Sequence, residues 1–127
     1  MFKRIDHVAV MPADTQGAVD FYTKILGFTI KERTKITGSA PVEEIIFLQL
    51  GDTFLKIIGV KDPLPPSKEP WQVSYKRISL EVDNMEEAVR FLKSKGIKMT
   101  LEPSPTAKTK RAEFQDPSGL SVELRQW

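Results

Sequence analysis

The sequence predicts an α+β fold in which two βαβββ repeats form a curved mixed sheet around a cup-shaped cavity, with the helices outside. Three observations predict it. Strand-like and helix-like segments follow the same order in both halves, residues of the first half recur at a nearly constant offset in the second, and a proline-rich segment lies between the halves. The length of 127 residues is that of one domain. We therefore expect a single domain, 1–127, with repeats at about 1–60 and 73–127 and a linker at 61–72.

The first half contains one predicted helix among four predicted strands. In "HVAV", outward and inward residues alternate as they do in a strand. The apolar residues of "ADTQGAVDFYTKILG" recur at helical spacing; Asp14 or Thr15 can cap the first turn of this helix, and Gly27 suits its C-terminal end. "FTIKERTK" is β-like, and "ITGSAPV" is a loop. "EEIIFLQL" and "TFLKIIGV", joined at Gly51 and Asp52, predict a hairpin. The segment "KDPLPPSKEP" has four prolines and can continue neither a strand nor a helix.

The second half repeats this order. "VSYKRISLEV" predicts a strand, and Asp83 with Glu86 forms a capping pair for the helix "NMEEAVRFLKSK", which ends at Gly96. "KMTLE" predicts a short strand and "PSPTAK" a loop. "KRAEFQ" and "LSVELRQW", joined by "DPSG", predict the second hairpin.

The halves match residue by residue. An offset of 70 relates His7 to Arg77, Ala18 to Ala88, Val19 to Val89, and Phe21 to Phe91. An offset of 67 relates Phe47 to Phe114 and Lys56 to Glu123 in the hairpins. These offsets predict two copies of one βαβββ unit.

Alternate residues of a strand point to opposite faces of its sheet. One apolar row in each strand is predicted to lie under the helices: Val8 and Val10, Ile45 and Phe47, Ile78 and Leu80, Ala112 and Phe114, and Val122 and Leu124. The opposite rows are predicted to line the cup: His7, Ala9 and Met11; Glu44, Ile46 and Leu48; Phe54, Lys56 and Ile58; Arg77, Ser79 and Glu81; Arg111, Glu113 and Gln115; and Ser121, Glu123 and Arg125. Because burying unpaired charge is costly, the charged members must be solvated, paired or occupied by a ligand.

Composition excludes several classes of function. Nineteen basic and seventeen acidic residues are interspersed along the chain, so neither nucleic acid nor a membrane surface is a favoured partner. No apolar run approaches the roughly 20 residues that span a bilayer. The absence of cysteine excludes disulfides, thiolate metal sites and cysteine nucleophiles. Because the N-terminus has no signal-peptide pattern, we expect a cytoplasmic protein.

Four segments together resemble the vicinal oxygen chelate superfamily, which includes glyoxalase I, methylmalonyl-CoA epimerase, extradiol dioxygenases and the bleomycin and fosfomycin resistance proteins. They are "DHVAV" with "AVDFYTKILGF", "FLQLGDTFLKIIGV", "ISLEVDNMEEAVRFLKSKGI" and "FQDPSGLSVELRQW". The resemblance covers nearly the whole chain. It implies the cup-shaped fold and, for a single domain of this length, a homodimer.

The resemblance also implies where a metal would bind. In metal-dependent members, one ligand comes from each of four strands, and these positions match His7, Lys56, Arg77 and Glu123. Neither arginine nor protonated lysine can donate an electron pair to a metal. At about 4 Å and an effective dielectric constant near 20, one such charge beside a dication costs roughly 8 kcal/mol. We therefore expect no bound metal and no other cofactor.

Two roles are open for the charged residues. Lys56, Arg77 and Glu123 can form a salt-bridged cluster that replaces the ion structurally. Alternatively, Lys56 and Arg77 bind a carboxylate, phosphate or enolate oxygen of a ligand. In that case the predicted ligand-binding residues are Lys56, Arg77, Phe54, Ser79 and Arg111.

The candidate catalytic residues are His7, Glu44 and Glu123. His7 is either a general base or a hydrogen-bonded wall residue. The resemblance places Glu44 where epimerases have a carboxylate used in proton transfer, although Glu44 can equally pair with Arg111 or Arg77. Trp71, Trp127, Phe54 and Tyr75 either form a wall for an aromatic ligand or pack at the linker and terminus.

Three functions follow from these alternatives. The first is a metal-free binding protein, similar to bleomycin resistance proteins, for a small anionic or mixed apolar and charged molecule. The second is a lyase or isomerase, similar to glyoxalase I or methylmalonyl-CoA epimerase, that acts on a carbon acid without the usual metal. The third is a structural domain whose cup is closed by salt bridges.

Overall fold

A computed structural model describes all 127 residues, which form two compact units, Met1–Pro65 and Pro66–Trp127. Each unit has the element order βαβββ and a four-stranded mixed sheet, which confirms the predicted fold class. The boundary falls in the proline-rich segment, and residues 61–77 form neither a helix nor a strand. Neither α-helix has the length and apolar character that crossing a membrane requires.

The first unit has a sheet whose strand order is β1-β4-β3-β2, with β1 parallel to β4 and the other neighbours antiparallel. Its elements are β1 (Val8–Val10), α1 (Thr15–Asp20), a π-helical turn (Phe21–Ile25), β2 (Thr29–Lys35), β3 (Val42–Leu50) and β4 (Thr53–Val60). The predicted helix is thus present but changes from α to π after six residues. Asp14 occupies the N-cap position without a side-chain capping bond, and Gly27 follows the helix at φ 82°.

A close approach brings α1 against the sheet at Gly59. A β-carbon at this position would lie 2.9 Å from Thr15 Oγ1 and 3.1 Å from Glu44 Cγ. Only glycine leaves room there for the first turn of the helix and for the Glu44 side chain. The helix therefore covers the sheet face that carries Glu44, and the opposite face is helix-free within this unit.

The predicted faces of β3 are reversed. Ile46 and Leu48 are fully buried under α1, whereas Ile45 and Phe47 lie on the helix-free face. Phe47 is the cross-strand neighbour of Lys56, so these two side chains share a face. The match of Phe47 to Phe114 is therefore wrong, because a slip of one residue turns every side chain to the other face. Val8, on the edge strand β1, is also exposed rather than buried.

The corrected match relates Ile46 to Ala112 and Leu48 to Phe114, an offset of 66, and all four side chains are buried. Lys56 and Glu123 still match at the offset of 67. The cross-strand neighbour of Lys56 is Phe47, and that of Glu123 is Glu113. Glu113 is therefore the repeat equivalent of Phe47.

The second unit has the strand order β5-β8-β7-β6. Its elements are β5 (Ile78–Glu81), α2 (Met85–Ser94), β6 (Met99–Leu101), β7 (Lys110–Gln115) and β8 (Ser121–Gln126). The predicted apolar rows of β7 and β8 are buried together with one side of α2, and their members are Ala112, Phe114, Val122, Leu124, Met85, Val89 and Leu92. The predicted N-cap is one residue early, since Asn84, not Asp83, accepts the hydrogen bond from the Glu87 amide at 3.0 Å. Gly96 follows α2 at φ 79°, as predicted.

Candidate functional site

The helix-free face of the second sheet carries a cluster of charged side chains, which we call the arginine cluster: Arg77, Ser79, Arg111, Glu113, Glu123 and Arg125. Glu123 lies on the central strand β8, with Ser79 of β5 on one side and Glu113 of β7 on the other. Because α2 covers the opposite face, where Phe114 and Leu124 are buried, alternation places all six side chains away from the helix.

Glu123 is the centre of the arginine cluster and is only 9% exposed. Ser79 Oγ donates to Oε1 at 2.6 Å, and Arg111 donates to Oε2 from Nε at 3.0 Å, with its Nη2 at 2.9 Å from the same oxygen. Arg125 Nη1 lies 3.8 Å from Oε1 and Arg77 Nη1 lies 4.0 Å from Oε2. The hydrogen bonds from Ser79 and Arg111 hold the pKa of Glu123 below its usual value, although burial opposes this effect.

Glu113 completes the cluster. Arg111 Nη2 donates to Glu113 Oε1 at 2.7 Å, and Arg77 Nε lies 3.2 Å from the same oxygen. Arg111 thus bridges the two carboxylates. The cluster contains three guanidinium groups and two carboxylates. Glu81, the cross-strand neighbour of Arg125, adds a third carboxylate to the same face, so the charges of this face balance.

The lowered pKa of Glu123 predicts a specific pH dependence of stability. A carboxyl group whose pKa is lower in the folded state stabilises the fold above its unfolded pKa of about 4.3, and this contribution is lost as the pH falls through the folded pKa. Urea unfolding between pH 6 and pH 3 should therefore show a steeper loss of unfolding free energy for the native protein than for Glu123→Gln. Equal losses would contradict the ionised, hydrogen-bonded state of Glu123.

The helix-free face of the first sheet is different, because its centre is a single lysine among apolar residues. Lys56 lies on β4 between Phe47 of β3 and Ala9 of β1. Its Nζ is 5.7 Å from the centre of the Phe47 ring, and the His7 ring meets the same ring edge-on at 5.3 Å. His7 Nδ1 donates to Asp6 Oδ2 at 2.8 Å. Lys56 forms no ion pair with a carboxylate of its own unit.

Glu44 does not join His7 and Lys56, contrary to the predicted cup-lining row. It lies on the helix-covered face, where Arg33 donates from Nε to Oε2 at 3.0 Å and from Nη2 to Oε1 at 2.9 Å. Gln16 of α1 accepts a further bond from Arg33 Nη2 at 2.9 Å. The Arg33 guanidinium holds the pKa of Glu44 below its usual value. Glu44 is therefore paired, but with Arg33 and not with Arg111 or Arg77.

The predicted aromatic residues do not form one wall. Phe54 lies on the helix-free face of the first sheet, two residues from Lys56. Trp71 and Tyr75 are almost fully exposed in the segment between β4 and β5. The centre of the Trp127 ring lies 4.5 Å from Arg125 Cζ. An open groove of about 680 Å³ in the first unit includes none of the predicted site residues; its lining is Ile36, Gly38, Ala40, Pro41, Val42, Glu43, Lys61 and Asp62.

The donor set does not fit a divalent metal ion. No three His, Asp or Glu side chains gather to hold one. In the second unit, both oxygens of Glu123 already accept hydrogen bonds, and Arg77 stands where the resemblance implies a ligand. In the first unit, Lys56 stands at the other position where the resemblance implies a ligand, against the same ring as His7. Cations at these positions repel a dication instead of coordinating it.

Four members of the arginine cluster were candidates from the sequence: Arg77, Ser79, Arg111 and Glu123. Glu113 and Arg125 were predicted to share their face but not to take part in a site. Their signal is the alternation along β7 and β8, which points them to the same face as Glu123. Alternation does not predict the position of Arg33, because a register shift in β2 between Ile30 and Glu32 determines which face of the sheet its side chain occupies.

Comparison with known proteins identifies the family. Residues 4–124 match the model of the Glyoxalase/Bleomycin resistance protein/Dioxygenase superfamily. Mitochondrial methylmalonyl-CoA epimerase of Bos taurus is 30% identical over 97% of this chain and 74% of its own length. Lactoylglutathione lyase of Escherichia coli O157:H7 is 29% identical over 95% of this chain and 90% of its own. A glyoxalase family protein from Enterococcus faecalis has a structure that superposes with a TM-score of 0.84 at 27% identity, over 98% of each chain. The chain belongs to the Glyoxalase/Bleomycin resistance protein/Dioxygenase superfamily.

Proposed function

We propose that this protein is a metal-free member of the superfamily that binds a small molecule with an anionic group and an apolar body. The proposal rests on Lys56 and Arg77, which the resemblance matches to two metal-ligand positions and which each lie on the helix-free face of their own sheet. Lysine and arginine side chains are donors of charge-assisted hydrogen bonds to carboxylate, sulfonate or phosphate oxygens. Each of the two positions that disfavour a metal ion is therefore a candidate to bind an anion.

A lyase or isomerase acting on a carbon acid is the second candidate. It is favoured by the relatives named lactoylglutathione lyase and methylmalonyl-CoA epimerase, and by the orientation of His7. Because Nδ1 of His7 donates to Asp6, the neutral ring has its free electron pair on Nε2, which can accept a proton. In this version, Lys56 stabilises the negative charge that develops on the substrate oxygen.

We also propose a cytoplasmic homodimer. The segment before β1 exposes Met1, Phe2 and Ile5, each by more than four fifths of its surface. A second copy of the chain would remove such apolar surface from water. Size-exclusion chromatography with light scattering separates a dimer from a monomer, and a monomer at micromolar concentration would contradict this part of the proposal.

A thermal-shift screen of small anions tests the binding function. A ligand at about 100 times its dissociation constant adds roughly 2.7 kcal/mol to the unfolding free energy. The double variant Lys56→Gln with Arg77→Gln serves as the matched control and should lose the response. If no anion stabilises the native protein, the binding function is wrong and the salt-bridged structural domain is favoured. For a compound that binds, uptake of deuterium at its α-carbon in D₂O distinguishes the enzyme from the binding protein.

A further inference from the structure

We infer that the anionic group of the ligand binds at Lys56 on the first sheet, and not at the arginines of the second, and that the ligand is an apolar monoanion such as an aromatic carboxylate. The inference rests on the proposed binding function and names its site and ligand class. It depends on the difference in charge balance between the two helix-free faces.

The charges of Arg77 and Arg111 on the second sheet are already neutralised by internal carboxylates. Arg111 is shared between Glu113 and Glu123, and Arg77 lies within 4.0 Å of both carboxylates. Arg125 lies 3.8 Å from Glu123, and its Nε, which has no hydrogen-bond partner, is buried away from an incoming anion. An incoming anion has to displace one of these internal carboxylates, which then loses its charge-assisted hydrogen bonds. Glu123 is only 9% exposed, so the loss of Arg111 would leave its carboxylate neither paired nor well hydrated.

Lys56 has no such competitor within its own unit. It is half-buried, and its neighbours on both adjacent strands, Ala9 and Phe47, offer no acceptor. On β2, the nearest carboxylate of the same face belongs to Glu32, which lies opposite Phe47. Its backbone is thus two strand spacings, or about 10 Å, from the backbone of Lys56. Asp6, in the segment before β1, accepts a hydrogen bond from His7. A partly desolvated ammonium group that has no counter-charge within its own unit favours binding of an external anion.

The surroundings of Lys56 define the rest of the ligand. The half-buried apolar side chains nearest to Lys56 on this face are Ile45, Phe47, Phe54 and Ile58. They offer two aromatic rings and two branched aliphatic groups to an apolar body. A single ammonium group suits one negative charge, whereas a phosphate dianion requires several donors. The face therefore selects an apolar monoanion over a small polyanion.

Three probes of matched shape or charge test the inference: 2-naphthoate, its neutral analogue 2-naphthamide, and inorganic phosphate. By titration calorimetry or chemical-shift titration, the native protein should bind 2-naphthoate at least about tenfold more tightly than 2-naphthamide, which corresponds to about 1.4 kcal/mol. Phosphate should bind more weakly than 2-naphthoate.

Variants locate the site. Lys56→Gln should weaken the binding of 2-naphthoate by about tenfold and leave the binding of 2-naphthamide unchanged. Lys56→Arg should retain most of the native affinity for 2-naphthoate, and Arg77→Gln should change that affinity little. Their melting temperatures show whether each variant is folded. The inference is overturned if the native protein does not bind 2-naphthoate, if the amide binds as well as the acid, or if Arg77→Gln weakens binding more than Lys56→Gln. Those outcomes leave the proposed function standing when other anions stabilise the protein in the thermal-shift screen.

Discussion

Replacing Glu123 with alanine is expected to lower the unfolding free energy by about 3 kcal/mol, because it removes two charge-assisted hydrogen bonds to a carboxylate that lies largely out of water. The substitution removes an acceptor from Ser79 and separates Arg111 and Arg125 from their shared carboxylate. Of the two carboxylates in the cluster, only Glu113 then remains for the three guanidinium groups. Urea unfolding monitored by circular dichroism measures the change.

Two further variants test the cause. Glu113→Ala should cost less than Glu123→Ala, because the Glu113 side chain is more exposed and receives no hydrogen bond from Ser79. The double variant Glu123→Ala with Arg111→Ala should be more stable than the sum of the single changes predicts, since residues of one network couple by about 0.5–3 kcal/mol. A loss of less than about 0.5 kcal/mol for Glu123→Ala, the size typical of a neutral surface substitution, would contradict the network.

Replacing Arg33 with alanine is expected to lower the unfolding free energy by about 2 kcal/mol. The change leaves Glu44, which is 7% exposed, without the guanidinium that binds both of its oxygens. It also removes the link from β2 to Gln16 of α1. The expected loss is smaller than for Glu123 because Glu44 has one hydrogen-bonding partner, Arg33, whereas Glu123 accepts hydrogen bonds from both Ser79 and Arg111.

Lys31→Ala provides the matched control, because Lys31 is an exposed cation on the same edge strand. It should change stability by no more than about 0.5 kcal/mol. Glu44→Gln should partly rescue Arg33→Ala, since a neutral amide is less costly to leave without a cation than a carboxylate. If Arg33→Ala is as mild as Lys31→Ala, the pair does not stabilise the first unit.

The sequence predicts the second unit better than the first, and the reason is the contrast between neighbouring residues. In β7, "RAEF" alternates charged and apolar side chains, so the buried face is unambiguous. In β3, "IIFL" is apolar on both faces, so alternation does not distinguish the row that α1 covers. The choice depends on packing against the helix, where Gly59 and Glu44 fit the first turn of α1, and no periodicity in the sequence contains that information.

The candidate site was predictable in part. The resemblance grouped Arg77 with Glu123 in one candidate cluster, and the structure brings them within 4.0 Å. The partnership of Glu44 with Arg33 was not predictable, because β2 has a register shift that determines which of its charges face α1. The sequence also did not predict that Lys56 lacks a carboxylate neighbour. The structure turns Phe47 to the helix-free face, so the cross-strand neighbour of Lys56 is an aromatic ring and not a carboxylate.

The two repeats have thus diverged in the charge of equivalent positions. Lys56 has an apolar neighbour in Phe47, whereas its equivalent, Glu123, has the charged neighbour Glu113. The second face neutralises its charges internally, and the first leaves one cation for an external partner. This asymmetry supports an anion-binding protein more than a structural domain closed by its own salt bridges.

The metal content of the purified protein tests the central claim most directly. After incubation with Ni²⁺, Zn²⁺, Mn²⁺ and Fe²⁺ and removal of free ions, elemental analysis of the native protein should find far less than one equivalent of any of them. The variant Arg77→His removes a cation and sets an imidazole beside Glu113 and Glu123, so it should gain affinity for these ions. One equivalent of metal on the native protein, lost when either His7 or Glu123 is replaced, would contradict the claim.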